Sequence, residues 1–319
     1  FIKCKNVRIN NVKMITARQN GDGISIQSCE DVIVKGGFVR TWDDSLVVKN
    51  VDRGNTKDIL FDGVTVWTDL AQSMEVGYET NGPKMENITF QNITVLHNFH
   101  KALISCHNCD DAVISGVTYK NITLEDGQML GDDRKDLEND FLMDFTIAFN
   151  PDWTKSEGAR GVINGVTIEN VHVYKLLDSI ISRFNGESPT SKISNVNIKG
   201  YKINGKFINT FDEFKAATNE YVENITYSKL DKVLGSYISL PYTLSLVSSD
   251  VEKTIVPGIH QDGILIPEFA YLKGGLPYIG VKGNIKCDIA ASHGAGSKTN
   301  TPVDDGSGEY TRSGTSVQN

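Results

Sequence analysis

The sequence predicts an all-β protein, a right-handed parallel β-helix in which short strands stack into a coil. The main observation is a repeat of apolar-x-apolar, a Gly or Asn corner, and a second apolar-x-apolar. Its first five copies start at residues 7, 32, 59, 88 and 113, so they are 25, 27, 29 and 25 residues apart. That spacing is typical of solenoid proteins. The copies alternate with period two and are rich in Val, Ile and Thr, which indicates strands rather than helices.

Stacking explains why such a repeat folds. A single strand cannot bury its apolar face, whereas stacked strands share one continuous core and bond to each other at a spacing of about 4.8 Å. Gly and Asn suit the corners because they tolerate positive φ. A second strand is predicted in every turn, with the aligned segments 22–26, 44–48, 73–77, 102–106, 145–149 and 179–182.

Two domains are expected. Residues 1–232 are the predicted catalytic β-helix, and residues 233–319 are predicted to form a C-terminal β-rich cap or a small accessory domain, such as a sandwich.

The acidic stretch 125–144 interrupts the repeat and is interpreted as a solvated loop rather than a calcium site, because the ligand spacing of a calcium loop is missing. Residue 1 already lies inside a repeat with no visible cap or signal peptide, so we expect a trimmed chain.

Net charge, the lengths of the apolar runs and the cysteine pattern limit the partners and ligands that we expect for this protein. The 319 residues carry a net charge of −8 and no apolar run long enough to span a membrane, so neither nucleic acid nor membrane is expected as a partner. Cys4 and Cys29 are one repeat apart and are expected to stack in the core. The segment 106–109 has CxxC spacing, but no second Cys/His pair supports a zinc site. We therefore expect a monomer with no cofactor and no metal.

Two acidic motifs point to chemistry. Asp22 lies in an Asn-Gly-Asp-Gly segment, and Asp43 and Asp44 follow 21 and 22 residues later, about one turn of the coil. Stacking would therefore bring the three carboxyls together. Glycosidic bond hydrolysis needs one protonated acid and one carboxylate, and mutual repulsion in such a cluster raises one pKa. The alternative is a corner ladder of Asp and Asn that only satisfies backbone groups.

These motifs, inside a β-helix repeat, resemble those of the polygalacturonase-type glycoside hydrolases of family 28. A similar trio occurs in the related dextranase and isopullulanase group, family 49. The resemblance implies an inverting glycoside hydrolase with Asp43 as general acid and with Asp22 and Asp44 holding the water. Geometry alone leaves retention open, because one rung is about 4.8 Å whereas inverting carboxyl pairs are about 6.5–9.5 Å apart.

The substrate prediction comes from departures from the polygalacturonase pattern. Their Gly-His-Gly segment is replaced here by residues 71–73, Ala-Gln-Ser, and residues 101–106 lack their Arg-x-Lys pair. Trp67, followed by the strand 74–78 that ends in Gly and Tyr, is similar to the dextranase and isopullulanase pattern. A neutral glycan is therefore favoured over polygalacturonate, as a polysaccharide or an oligosaccharide.

Aromatic faces stack on sugar rings, and binding sites combine them with a few polar groups. The predicted substrate contacts are Trp42, Lys49, Trp67, Gln72, Glu75, Tyr78 and Trp153. Each aromatic could equally be a packing residue. Two other functions remain open: a non-catalytic β-helix such as an adhesin or tail fibre, and a polysaccharide lyase, which needs a basic cluster. The resemblance implies an extracellular or periplasmic location.

Overall fold

The computed structural model describes residues 1–128 and 141–229, together with the backbone of short strands between 244 and 311. The chain divides into two compact units, Phe1–Asp231 and Lys232–Asn319. Within the described part, none of the helices has the length and apolar character needed to cross a membrane.

The described residues of the first unit form mainly strands, with one short helix among them, α1 (Phe211–Phe214). Its strands are β1 (Lys5–Ile15), β2 (Ile24–Gln27), β3 (Glu30–Thr41), β4 (Leu46–Asn50), β5 (Thr56–Asp62), β6 (Thr65–Thr68), β7 (Met74–Thr80), β8 (Lys84–Asn98), β9 (Ile104–Asn108), β10 (Val113–Leu124), β11 (Phe141–Ile147), β12 (Val162–Val173), β13 (Ile181–Asn185), β14 (Ile193–Ile203), β15 (Lys206–Ile208), β16 (Ala216–Thr218) and β17 (Val222–Ser228).

These strands form two sheets that wind around a shared core. The first sheet has the order β2-β4-β7-β9-β11-β13-β16, and all its pairs are parallel. The second follows the order β1-β3-β5-β8-β10-β12-β14, with β6 beside β3 and β8, and with β17 and the antiparallel β15 beside β14. Successive turns of chain thus stack in parallel, which confirms the fold class and is consistent with the predicted right-handed coil.

The predicted alignment of the first sheet is confirmed at its first step, is one residue out at the third segment and is four residues out at the fifth. Ile24 pairs with Leu46 as predicted, whereas Leu46 pairs with Met74 rather than with Glu75, and Met74 in turn pairs with Ile104. Ile104 then pairs with Met143 rather than with Ile147, four residues later. The reason is packing: Met143 is fully buried in the core, whereas Phe149, which the predicted register counted as part of this strand, is 64% exposed.

Ladders of like residues stabilise the coil. Inside, the rings of Phe61, Phe90 and Tyr119 stack at centroid distances of 5.1 Å. At one outer corner, the Asn121 amide donates to Asn92 Oδ1 at 2.9 Å, and both residues have positive φ. Asn tolerates that backbone region, so the corner residues predicted from the repeat do occupy left-handed positions.

The second unit is described only as short antiparallel strand segments. They are β18 (Leu244–Ser248), β19 (Glu252–Ile255), β20 (Gly258–Ile259), β21 (Leu265–Ile266), β22 (Tyr271–Leu272), β23 (Leu276–Pro277), β24 (Ile285–Cys287), β25 (Val303–Asp304) and β26 (Tyr310–Thr311). Strand β18 pairs with β19 and β24. The rest of the predicted C-terminal domain, and most of the acidic loop, lie outside the described residues.

Candidate active site

The three acids meet where the strands of the first sheet begin. Asp22 precedes β2, and Asp43 and Asp44 precede β4, in the next turn of the coil. The N–H of Gly23 donates to the carbonyl of Asp44 at 2.8 Å, which fixes the two turns against each other. A Cβ at Gly23 would lie 2.2 Å from the carbonyl of Ser45, so this position requires glycine. The close contact between the turns explains the Asp-Gly pair of the first motif.

Buried hydroxyls support the turn that carries Asp43 and Asp44. The Thr41 hydroxyl donates to the carbonyl of Asp43 at 2.5 Å and lies 2.6 Å from the Ser45 hydroxyl. The Ser45 hydroxyl in turn lies 2.8 Å from that of Thr68 on the next rung. Such networks hold a turn in one conformation when every member is satisfied.

Asp44 is the most buried of the three acids. Its side chain accepts a hydrogen bond from the Gln72 N–H at 2.9 Å, and the residue is only 7% exposed. Burial, and then the negative charges of Glu75, Asp43 and Asp22, raise the pKa of Asp44 well above its usual range; the Gln72 bond opposes this only in part. Asp43 is half-buried, and its carboxylate accepts from the Asp44 N–H at 2.9 Å.

Asp22 shares a lysine with a fourth carboxylate. Lys49 Nζ lies 3.5 Å from Asp22 Oδ2 and 3.0 Å from Glu79 Oε2. Burial raises the pKa of Asp22, and Asp43 adds to it, while Lys49 opposes it. Burial would lower the pKa of Lys49, but the charges of Glu79 and Asp22 outweigh it and raise that pKa. Lys49 therefore stays protonated at neutral pH.

A buried ion pair lies next to the cluster. Glu75 is fully buried, and His107 Nδ1 donates to its Oε2 at 2.9 Å. The Ser105 hydroxyl donates to the same oxygen. Burial would lower the pKa of His107, but the charges of Glu75 and Asp144 outweigh it and raise the pKa to about 10. His107 is thus an imidazolium at neutral pH.

The ion pair continues across two more strands. Asp144 on β11 accepts from His107 Nε2 at 3.1 Å, and Arg183 on β13 holds it with both Nε at 3.0 Å and Nη2 at 2.7 Å. Burial would raise the pKa of Asp144, but His107 and Arg183 hold it well below its usual range. His107, Asp144 and Arg183 were not predicted as site residues. The alternation of their charges becomes visible only once the strands are aligned across the acidic insertion.

Two predicted substrate contacts, Gln72 and Tyr78, lie together beside the acids. The Gln72 amide donates to the Tyr78 hydroxyl at 3.1 Å, and the Tyr78 ring stacks on His107 with centroids 4.1 Å apart. Burial and nearby carboxylates raise the pKa of Tyr78 well above its usual range, so its hydroxyl stays protonated. Glu75, a third predicted substrate contact, lies in the same region. Its side chain is fully buried and bonded to Ser105 and His107, so it would influence a substrate only through these neighbours.

The three tryptophans occupy different places. Trp42 adjoins the acid pair and is 40% exposed. Trp67 packs between Arg40, 5.2 Å from its ring, and His97, with centroids 5.0 Å apart, and its indole N–H donates to Asp69. Trp153 follows the C-terminal end of β11, whereas the acids precede the N-terminal ends of their strands, and it is 40% exposed. All three remain candidate sugar contacts.

The segment that carries Trp153 is firmly anchored. Asp110 is fully buried and accepts from the Lys155 N–H at 2.7 Å and from the Ser156 hydroxyl. The Thr154 hydroxyl and the Arg160 guanidinium both donate to the carbonyl of Cys109. These bonds fix the segment on the end of β9. Trp153 is therefore presented on a preorganised surface, which favours binding because less entropy is lost.

Within residues 1–128 and 141–229, no group of three or more His, Cys, Asp and Glu side chains could hold a metal ion.

Comparison with known families agrees with the motifs. Residues 1–131 match the model of the glycosyl hydrolases family 28, which is less than half of the 319-residue chain. The matched part contains the whole acid cluster. No curated protein and no solved structure matches the chain. The family match supports a glycoside hydrolase, and the parallel β-helix is consistent with it.

Proposed function

We propose that the protein hydrolyses glycosidic bonds of a neutral polysaccharide or oligosaccharide, with Asp22, Asp43 and Asp44 as the reacting acids. The observation that carries this proposal is the convergence of three carboxyls from two turns of the coil, with Asp44 buried next to Glu75. Two like charges in a shared site raise the pKa of one of them, so the cluster keeps a proton at a pH where an isolated carboxyl would lose it.

In the proposed mechanism, Asp43 donates a proton to the leaving group. Asp43 is less buried than Asp44 and adjoins the exposed Trp42, so it is the group that reaches the glycosidic oxygen and protonates it. Asp22 and Asp44 hold the attacking water and accept its proton on the other face of the sugar. Direct attack by water inverts the anomeric centre. The proton shared within the cluster then restores Asp43 for the next turnover.

A purely structural corner ladder accounts less well for these residues. Corner ladders in this coil use exposed side chains that pair with each other, as Asn92 and Asn121 do. Asp44, in contrast, is buried beside other carboxyls, an arrangement that costs stability. Such costs concentrate at functional sites. This observation supports an enzyme over a non-catalytic adhesin or tail fibre.

The protonation state of Lys49, the lysine that contacts Asp22, disfavours a lyase reaction. Lyase chemistry needs a neutral base and a cation or neutralising group for the uronate. Lys49 is held protonated between Asp22 and Glu79, so it is not available as a base. Hydrolysis needs no such group.

The charge of the site favours an uncharged substrate. Around the acids and along the neighbouring strands lie six carboxyls, from Asp22, Asp43, Asp44, Glu75, Glu79 and Asp144, against the cations Lys49, His107 and Arg183. Each of these cations contacts carboxylates of the protein itself. A uronate carboxylate would therefore meet mainly like charge, which disfavours polygalacturonate.

A substrate panel tests the proposed function. Purified protein is incubated with polygalacturonate, dextran, pullulan and α-1,3-glucan, and new reducing ends are measured. At least one neutral glycan should be cleaved at a rate at least about ten times that of polygalacturonate. Preferential cleavage of polygalacturonate would overturn the neutral-substrate proposal, and unsaturated products would indicate a lyase.

Trp153 offers a second prediction. If it stacks on a distal sugar, Trp153→Ala should raise KM about 2- to 10-fold on long chains and leave kcat nearly unchanged, because an aromatic contact contributes about 0.5–1.5 kcal/mol. KM on the shortest cleaved oligomer should not change. Leu177→Ala, at another exposed apolar residue (47% exposed), is the control and should change neither value. An equal effect on short and long chains would contradict a distal contact.

The remaining features follow from a polysaccharide substrate. We propose that the protein works as a monomer outside the cytoplasm, in the extracellular space or the periplasm, where polymers too large for import are degraded. Residues 1–232 would be the catalytic domain and residues 233–319 a cap or accessory domain.

A further inference from the structure

A buried row of alternating charges runs next to the acid cluster. Glu75 on β7, His107 on β9, Asp144 on β11 and Arg183 on β13 each contact the next member, at distances of 2.9, 3.1 and 2.7 Å. Three of the four are almost completely buried, so solvent screens these charges little. In the proposed hydrolysis none of its four members is a reacting acid.

Its members lie at different distances from Asp44. Strand β7 is the neighbour of β4, and Glu75 pairs with Val47, three residues after Asp44. Asp144 is on β11, three strands from β4, so it lies about 14 Å across the sheet from the strand that follows Asp44. Glu75 is accordingly the charge outside the trio that acts most strongly on Asp44.

We propose that Glu75 and His107 are positioning residues that set how tightly the acid cluster holds its proton. The negative charge of Glu75 strengthens proton binding by the cluster, and the positive charge of His107 limits that effect. The inference rests on the proposed hydrolysis, because only a reaction that uses this proton would register the change.

Other ionisable groups face these residues. The ionisable groups that face Asp44 are Asp22, Asp43, Lys49, Glu75 and Tyr78. Those that face Glu75 are Asp44, Tyr78, Cys106, His107, Cys109 and Tyr119, and Asp144 lies on the far side of His107. Burial raises the pKa of the Tyr78 and Tyr119 hydroxyls and of the Cys106 and Cys109 thiols. These four groups are therefore neutral in the working range, and Lys49 stays protonated. Among the charged groups outside the trio, Glu75 acts most strongly on Asp44, and a Glu-to-Gln replacement removes its charge with little change of shape.

The test is the pH profile of kcat/KM for Glu75→Gln. The amide can still accept from the His107 N–H groups, so the variant changes charge more than shape. The alkaline limb, where the cluster loses its last proton, should move to lower pH by about one unit. Asp144→Asn is the matched control, because it also removes one negative charge that contacts His107, but on the side of the ring away from Glu75. The alkaline limb of the Asp144→Asn profile should move by less than half as much as that of Glu75→Gln.

A second variant predicts the opposite sign. His107→Gln removes the cation that moderates Glu75, so the acid cluster should hold its last proton more tightly and the alkaline limb of the pH profile should move to higher pH. This variant also decides the matter if Glu75→Gln does not fold. A merely structural role would lower activity in both variants without moving the limb.

The outcomes separate this inference from the proposed function. Unmoved limbs in active variants, or equal shifts for Glu75→Gln and Asp144→Asn, would overturn the positioning role while leaving hydrolysis intact. Failure of the proposed function would appear elsewhere, as unchanged activity when Asp44 itself is replaced.

Discussion

Asp43→Asn is expected to lower kcat/KM on the natural glycan by about 10²-fold or more, because the amide keeps the shape of the side chain but cannot protonate the leaving oxygen. The loss should be much smaller on an aryl glycoside, if that substrate is accepted, since its leaving group needs no proton. Both values are measured by initial rates at the optimum pH of the wild type.

The control for this variant is Asp62→Asn. Asp62 is also a corner carboxylate, but on the other sheet, where it accepts from the Asn92 amide. Its replacement should leave activity within about two-fold of wild type. Equal losses of Asp43→Asn on both substrates would instead make Asp43 the water-activating base or a structural residue. Activity within a few-fold of wild type on the glycan would remove it from the mechanism.

Asp44→Asn is expected to abolish activity and at the same time to stabilise the protein. The amide can still accept the Gln72 N–H, but it removes a buried charge that lies beside Glu75, Asp43 and Asp22. At neutral pH, Tm should rise by about 2–4 °C for each kcal/mol of repulsion that is relieved. Thermal unfolding across the pH range, together with glycan hydrolysis, checks both effects.

The sign of the pH dependence follows from the raised pKa of Asp44. In the unfolded chain this group titrates near its ordinary value of about 3.9. Folding is therefore penalised as pH rises from that value through the higher pKa of the folded state. The gain in Tm should be absent below about pH 3.9 and should grow as the pH rises from there towards the folded-state pKa. Asp52→Asn, at an exposed surface pair with Lys3, should leave Tm nearly unchanged. A lower Tm for Asp44→Asn at neutral pH would contradict the account.

The sequence predicted the coil and its first rungs because the repeat is local and regular. Val7 pairs with Val32, Val32 with Ile59 and Ile59 with Ile88, so the turns of 25, 27 and 29 residues counted from the sequence are those of the structure. The copy counted from Val113 starts four residues too early, because Ile88 pairs with Val117. The acid cluster lies within the correctly counted turns, and its three members could be brought together by counting alone. Gln72 and Tyr78 were predicted from the family resemblance, Gln72 at the place of the polygalacturonase histidine and Tyr78 at the aromatic end of the strand in the dextranase and isopullulanase pattern.

The later rungs could not be predicted, because the acidic insertion removes the count. After Leu124 the next strand of the first sheet starts at Phe141, and counting placed its core residues four positions too late. Asp144 was therefore assigned to the loop instead of facing His107. His107 itself was noted only as part of a CxxC-spaced segment, and nothing in that spacing indicates that an ion pair with Glu75 forms across neighbouring strands.

The most direct test of the central claim follows the products of a neutral glycan by proton NMR, with the wild type and with the Asp22, Asp43 and Asp44 single Asn variants in parallel. The account predicts that the wild type releases saturated products whose new reducing ends first appear with inverted anomeric configuration, and that each variant loses at least about 10²-fold in rate. Hydrolysis that persists at the wild-type rate in all three variants, or the absence of cleavage of every glycan by the folded wild type, would contradict it.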